Sequence, residues 1–286
     1  MALFKKKEKT QEPEFFTSAT NIPTVNYKVY YMKPIEKTLY FLLAFVVGAA
    51  VGYLFYGGIG KDEFGQPTTL TLVLNIVIPV IVGTIAGRLF VPMRTKSIIA
   101  KRKTELSRQF RDFLDSLTTS LGAGKNVNDS IIAVYEDLKV QYDSDAYILK
   151  ELEIIISGVH NNIAIEELLE DFGIRSDIDD IKSFANVFKI SYRKGGNIKD
   201  IIRNTHSILS DKMEISEDIE TLTTSNKLEQ NIMVFMPIAL IAVIKMMSPE
   251  FAENFVKPTG IISTTISIGI FVVAYFIGKS VLDIKI

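Results

Sequence analysis

The sequence predicts an all-α polytopic membrane protein. Four transmembrane helices, two N-terminal and two C-terminal, flank a cytoplasmic bundle of about six helices. Three observations predict this fold class. Four stretches are apolar and almost free of charge, as in helices that cross a membrane. Between the two pairs, apolar residues recur every three to four positions, as on one face of a helix. No stretch there alternates cleanly enough between polar and apolar residues to predict a strand.

Residues 1–37 are predicted to form a polar, basic N-terminal arm. The arm holds seven lysines, four of them at its start. Its three prolines argue against a long helix. We expect a mobile arm that either lies on anionic lipid through its lysines or stays in solution.

Residues 38–92 contain the first two spans. Leu39–Ile59 is free of charge and long enough to cross roughly 30 Å of hydrocarbon. Gly48 and Gly52 could allow another helix to approach closely. A short polar connector follows, and Thr68–Val91 forms the second span.

Residues 93–230 are predicted to form the helical domain. Its first helix carries an apolar stripe from Leu106 to Leu121, and Gly122 and Gly124 stop it. Four shorter helices follow, each begun by a polar capping residue or ended by a glycine. The predicted boundary residues are Asn128, Ser144 or Asp145, Gly173, and Ser176 or Asp177. The turn before the sixth helix contains Gly195 and Gly196.

The sixth helix is predicted to be unusually long. It extends for roughly 50 residues, or about 75 Å, and ends at Met247. Its first part is charged, and its last part, Ile232–Met247, is apolar and forms the third span. A helix that begins in water and ends in a bilayer would couple a soluble domain to a span. Pro237 is a candidate hinge, because proline can kink a helix.

Residues 231–286 contain the third and fourth spans and a short tail, the fourth span being Ile261–Gly278. Lysines and arginines set the expected orientation. Seven lie in the arm and five between Arg94 and Lys103, whereas the two short connectors carry one each. We therefore expect the arm, the helical domain and the C-terminus to be cytoplasmic in a multi-pass plasma (inner) membrane protein.

Composition argues against catalysis and metal binding. Cysteine is absent and there are two histidines, so thiolate chemistry, a zinc site or a histidine-based triad is not expected. We expect no enzymatic activity, no cofactor and no metal. The segment Gly122–Lys125 fails as a phosphate-binding loop, because Asn126 stands where that motif needs Ser or Thr. The net charge of −1 gives no drive towards nucleic acid.

Acidic residues predominate in the helical domain. From Glu105 to Glu229 there are 24 acidic and 14 basic residues, a formal charge of −10. Such runs are usually solvated helix faces. The functional alternative is a docking surface that steers a basic partner. The candidate docking residues are Glu166, Glu167, Glu170, Asp171, Asp177, Asp179, Asp180, Glu217, Asp218 and Glu220.

Several local motifs occur in an order that resembles a known family. Gln109–Leu117, followed by Leu121 and Gly124, is similar to the first cytoplasmic helix and glycine stop of the type II secretion F-domain family. Further matching segments are Gly195–Ile198, Met236–Pro237, Ser248–Phe251, Gly260 and Leu282–Ile286. The last three resemble the Tad pilus branch especially. The resemblance covers residues 95–286, and the first two spans match in layout only.

This resemblance implies a platform protein for pilus assembly or protein secretion. Such a platform has no catalytic residues and couples a cytoplasmic hexameric secretion ATPase to the insertion of pilin subunits from the lipid bilayer. It also implies pairing with a second, similar platform protein or with itself. The acidic domain would face the ATPase, and the spans would contact pilin helices.

Two other classes of function are open to the sequence. A small transporter or permease subunit would need intramembrane charges or broken helices at the midplane, and the sequence lacks them. A membrane-tethered sensor or enzyme would need a cluster of titratable residues around a pocket. The sequence favours the platform over both alternatives.

Overall fold

A computed structural model of the protein describes residues 12–61 and 66–282. The four N-terminal lysines, most of the first connector and the residues after 282 lie outside the described residues. Helices dominate the described part. They are α1 (Pro34–Tyr56), α2 (Thr69–Gly122), α3 (Val127–Gln141), α4 (Tyr147–His160), α5 (Ile165–Ser176), α6 (Asp179–Arg193), α7 (Ile198–Met247), α8 (Pro249–Val256) and α9 (Pro258–Leu282). Two short strands, β1 (Phe15–Thr17) and β2 (Pro23–Val25), pair antiparallel.

The chain divides into two compact units. The first contains the described residues up to Tyr31 together with Thr95–Met213, and the second contains Met32–Arg94 and Glu214–Ile286. Four helices, α1, α2, α7 and α9, are long and apolar enough to cross a membrane. These four helices indicate a multi-pass membrane protein, as the sequence predicts.

The first unit has an aromatic centre on the C-terminal part of α2. The ring of Phe110 lies 5.7 Å from Phe113, 6.1 Å from Phe172 on α5 and 5.4 Å from Phe184 on α6, measured between ring centroids. The predicted apolar stripes supply most of this core. Four apolar residues of α3, α6 and α7 are instead exposed: Ile132, Val187, Tyr192 and Ile208.

Several predicted helix ends differ from the structure by a few residues. Asn126, not Asn128, caps α3, and its side chain accepts the N–H of Asp129. Helix α5 continues past Gly173 and ends at Ser176, after which Asp177 adopts φ +52°. Gly173 packs against α6, where a Cβ would lie 3.1 Å from the backbone of Lys182. This glycine therefore serves close helix packing and not helix termination.

Helix α2 joins two helices that the sequence predicts as separate. The sequence predicts a span that ends at Val91 and a separate helix in the soluble domain. The structure has one helix of 54 residues that continues through Pro79 and Pro92. A proline removes one backbone hydrogen bond, and the remaining bonds keep these two sites helical. The described residues thus contain two very long helices, α2 and α7, where the sequence predicts one.

The predicted mobile arm is wrong for the segment from Glu14 to Tyr27. Strands β1 and β2 form a hairpin there, and the side chain of Tyr27 is buried. The backbone N–H of Tyr27 donates to the carbonyl of Arg175 on α5 at 3.1 Å. The hairpin is therefore anchored to the helices of the first unit.

Glycines bring α1 and α2 together in the second unit. A Cβ on Gly48 would lie 2.7 Å from the Cβ of Ala86 and 3.1 Å from the Cα of Gly83. A Cβ on Gly52 would lie 3.3 Å from the Cα of Pro79. These distances agree with the close packing that the sequence predicts for Gly48 and Gly52.

Substituting Gly48 by leucine is expected to destabilise the second unit by about 1–3 kcal/mol, the usual cost of overpacking a core. The added side chain must push α1 away from α2. Gly269 on α9 is a matched control, because nothing lies within 4 Å of a Cβ built there. Thermal unfolding of the purified chain in detergent should show a lower midpoint for Gly48→Leu than for Gly269→Leu. Equal midpoints would contradict the packing role.

Candidate functional site

The acidic docking candidates on α5 mostly make ion pairs inside the first unit. Glu166 is buried and accepts from Arg193 at 3.1 Å. Glu170 accepts from Lys189 at 2.5 Å, and Asp171 accepts from Arg175 at 2.7 Å. Glu167 lies 3.6 Å from the same Arg193 and is more exposed. The sequence shows acidic clustering, but the structure matches each of these acids with a base.

The candidates around the α5–α6 turn are also partly paired. Asp177 forms an ion pair with Lys103 on α2, and its backbone carbonyl accepts from the same ammonium at 3.1 Å. Asp180 accepts from Lys212 on α7 at 2.9 Å. Asp179 is exposed at the start of α6. The two ion pairs link α2 and α7 to the start of α6, so Asp177 and Asp180 are not free to pair with a partner protein.

The remaining candidates lie on an exposed segment of α7. Glu217, Asp218 and Glu220 are exposed, and so is the neighbouring Glu214. Within the part of the chain that the structure describes, none of these four carboxylates forms an ion pair. At 3.6 residues per turn they share roughly half of the helix circumference. We call Glu214, Glu217, Asp218 and Glu220 the acidic segment of α7.

The predicted turn residues lie at the ends of helices. Helix α2 ends at Gly122, and Gly124 has φ +87°. Gly195 has φ +69° in the turn before α7, a conformation that side chains with a Cβ rarely adopt. The N–H of Gly196 donates to the carbonyl of Ser191 at 2.7 Å. These glycines lie at the end of α2 and in the turn before α7.

Helix α7 is unbroken from Ile198 to Met247 and includes Pro237. The helix continues on both sides of the proline, so the long helix predicted from the sequence is confirmed. Beside Pro237, the second unit has an apolar groove of about 480 Å³. Residues of α1, α7 and α9 line this groove, with Phe255 from α8.

The first unit contains a buried charge network that the sequence does not predict. Arg175 on α5 donates two hydrogen bonds to Glu151 on α4, at 2.8 and 2.6 Å, and a third to Asp171 at 2.7 Å. Tyr27 donates to Glu151 at 2.9 Å. Burial of the guanidinium opposes its charge, yet hydrogen bonding and attraction from Glu151 and Asp171 raise the pKa of Arg175 above its usual range.

The pKa of Tyr27 also lies well above its usual value. Burial of the phenol is the main cause, and the charge of Glu151 adds to it. The neutral phenol therefore stabilises the fold fully below about pH 10, the unfolded value. This contribution is lost as the pH rises from there towards the raised value in the folded state.

Replacing Tyr27 by phenylalanine is expected to cost about 1–2 kcal/mol at pH 8. The loss arises because Glu151 then lacks one buried donor. The difference in stability between the wild type and Tyr27→Phe should shrink above about pH 10, where unfolding lets the wild-type phenol ionise. Urea denaturation followed by circular dichroism at pH 8 and pH 11 measures it. A difference that does not change with pH would contradict the role given to the phenol.

The motif at Gln109–Leu117 contributes polar side chains to an open cavity of about 820 Å³ in the first unit. Gln109 accepts the backbone N–H of Ile148 at 3.0 Å and so satisfies a donor in the first turn of α4. Asp112 accepts from the hydroxyl of Tyr142 at the end of α3. Burial raises the pKa of Tyr142 to about 12, and the hydrogen bond to Asp112 adds to this shift. Both motif residues therefore hold neighbouring helices against α2.

Residues 12–61 and 66–282 contain no group of three or more His, Cys, Asp or Glu side chains placed to hold a metal ion. The fold defines a class: a helical, multi-pass membrane protein that also has a compact unit of packed helices, the first unit. Comparisons with protein-family models, curated proteins and solved structures found no match.

Proposed function

We propose that the chain is a non-enzymatic assembly platform in the plasma (inner) membrane. In this proposal it couples a cytoplasmic hexameric ATPase to the insertion of pilin subunits into a filament of the Tad, type IV or type II secretion-like kind. The arm and the C-terminus are cytoplasmic, and a second platform protein or another copy is a partner.

The observation that carries the proposal is the continuous helix α7. One end of this 50-residue helix contributes buried Ile202 and Leu209 to the first unit, and the other end is apolar enough to cross a membrane. A continuous helix transmits tilt or rotation along its axis better than a flexible linker does. Helix α2 has the same character over 54 residues.

The acidic segment of α7 supports a charged docking partner. Its four exposed carboxylates are free of ion pairs within the described residues, unlike most of the acids on α5. Exposed charge of one sign speeds association with a partner of opposite sign. In the proposal this partner is the secretion ATPase, through a basic surface.

Exposed apolar side chains support the pilin partner. In the second unit, α1, α7 and α9 expose many large apolar residues, among them Leu43, Phe235 and Phe276. Such surfaces suit lipid and the apolar helices of other membrane proteins. Pilin helices leaving the bilayer would pass along these faces.

Deleting the gene tests the proposal directly. The expected result is loss of surface filaments, seen by electron microscopy, while the purified ATPase still hydrolyses ATP. Re-expression of the wild-type chain should restore the filaments. Normal piliation in the deletion strain would contradict the proposal.

Reversing one charge in the acidic segment tests ATPase docking. Asp218→Lys is expected to weaken binding of the ATPase to the full chain in lipid nanodiscs by about tenfold, because unfavourable charge pairs reduce association strongly. Asp137→Lys on α3 is the matched control, since Asp137 is exposed and lies outside the segment. Equal affinities for the two variants would place docking elsewhere.

A further inference from the structure

A lysine borders the apolar groove of the second unit. The ammonium of Lys245 donates to the carbonyl oxygens of Leu54 at 2.6 Å and Phe55 at 3.4 Å, near the C-terminal end of α1. It also lies 5.3 Å from the ring centroid of Phe255. Phe55 and Phe255 both line the groove. The positive charge therefore lies beside two residues that line the apolar groove.

Lys245 keeps hydrogen-bonding capacity for a further partner. An ammonium has three donors, and two carbonyls are its acceptors here. No carboxylate among the described side chains forms an ion pair with it. Lys245 is also in the last turn of α7, where a lysine in a membrane helix reaches the level of the lipid headgroups.

The groove also contains hydroxyl groups without partners. Ser263, Thr264 and Ser267 on α9 line it, and their hydroxyl groups make no hydrogen bond in the described part of the chain. Thr264 is only 7% exposed. Its neighbour Thr265 instead donates to the carbonyl of Ile261 at 2.8 Å. Ser263 and Thr264 lie within two turns of the start of α9, so the groove offers polar donors on that part of the helix.

The groove has the size of a small-ligand site. Its volume of about 480 Å³ falls within the range of roughly 300–1,000 Å³ for ligand pockets. A flexible hydrocarbon chain suits an open apolar groove of this size.

We infer that the groove binds one anionic phospholipid. Its acyl chain occupies the apolar channel between α1, α7 and α9, and its phosphate pairs with the ammonium of Lys245. The lysine favours an anionic headgroup, and the apolar lining favours an uncharged acyl chain. Both parts of the ligand are therefore inferred from residues of the site. This inference does not depend on the proposed function.

Native mass spectrometry of the full chain tests the lipid site. The protein is released from micelles that contain equal amounts of phosphatidylglycerol and phosphatidylcholine. We expect the wild type to retain phosphatidylglycerol preferentially. Lys245→Gln should reduce this preference about fivefold, the factor expected for one lysine near a headgroup. Ser267→Phe fills the channel and should abolish retention of both lipids.

Two matched variants control for charge and bulk. Lys257→Gln removes a lysine whose ammonium donates to Asn254, outside the groove. Val273→Phe adds bulk at an exposed position of α9 outside the lining. Both should retain phosphatidylglycerol as the wild type does. An unchanged preference in Lys245→Gln, or lipid retention in Ser267→Phe, would overturn the site.

A photoreactive amino acid at position 268 identifies the occupant in cells. Ile268 lines the groove, so the crosslinked product should carry the mass of a phospholipid. Crosslinking to a protein there would show that a membrane helix occupies the groove and would overturn the lipid assignment.

Discussion

Replacing Arg175 by methionine is expected to destabilise the first unit by about 3–5 kcal/mol, the effect of removing one partner from a buried ion pair. The Arg175 and Glu151 side chains are each 2% exposed. Methionine leaves the carboxylate of Glu151 buried without its two guanidinium donors. Tyr27 would be its remaining donor from another side chain, and one neutral hydrogen bond cannot offset a buried charge.

Amide hydrogen exchange of the full chain in detergent measures the effect. Amides in α4 and α5 should lose protection together, because the network joins these two helices and the hairpin. Arg203→Ala is the control. Arg203 pairs with Asp200 at 2.9 Å, with side chains 61% and 47% exposed, and such pairs contribute close to zero.

A double variant separates lost charge pairing from lost packing. Arg175→Met combined with Glu151→Leu removes both charges and should recover most of the stability, as replacing a whole buried pair by apolar residues often does. The phenol of Tyr27 then lacks its acceptor, so recovery should be more complete with Tyr27→Phe added. If the single variant were as stable as wild type, the network would not hold the first unit together.

Periodicity predicted the helices and most of the core because both depend on local pattern. The stripe through Phe110, Phe113 and Leu117 needs only the 3.6-residue repeat to be recognised, and all three side chains are buried. Helix ends were less predictable. Gly173 resembles a helix stop in the sequence, but the close approach of α6 explains it, and local pattern does not reveal that packing contact.

The buried network could not be predicted from local pattern. Tyr27 and Glu151 are 124 positions apart, and nothing in the sequence links them. Glu151 and Arg175 look like ordinary surface residues in the sequence. Charged side chains are seldom fully buried unless they are paired, and the sequence does not show that these two form a pair. The same limit applies to the acidic clusters. Composition reveals Glu166 and Glu170, but only the fold shows their partners Arg193 and Lys189.

The hinge predicted at Pro237 stays a prediction. Helix α7 continues through this proline, so the structure favours a stiff link at this point. If a flexible hinge were required, Pro237→Ala should impair filament assembly. Normal assembly in that variant would favour a rigid helix, in which the missing backbone hydrogen bond has no role.

Breaking α7 between the acidic segment and the apolar end is expected to abolish filament assembly. Ser225→Pro removes a backbone donor and places the proline ring against the preceding turn, which costs roughly 3 kcal/mol or more in a helix interior. Ser225 is exposed, so the change should leave the cores of both units intact. The helix would bend or break at this point.

The matched variant Ser225→Ala keeps the helix and should assemble filaments normally, since alanine is the best helix former. Both variants should reach the membrane at equal levels, and both should bind the ATPase equally in nanodiscs. If Ser225→Pro binds the ATPase but does not assemble filaments, docking of the ATPase does not need the continuous helix, whereas transmission of its motion to the spans does. If Ser225→Pro cells make normal filaments, α7 does not transmit the motion, and α2, the other helix long enough for this role, becomes the next candidate.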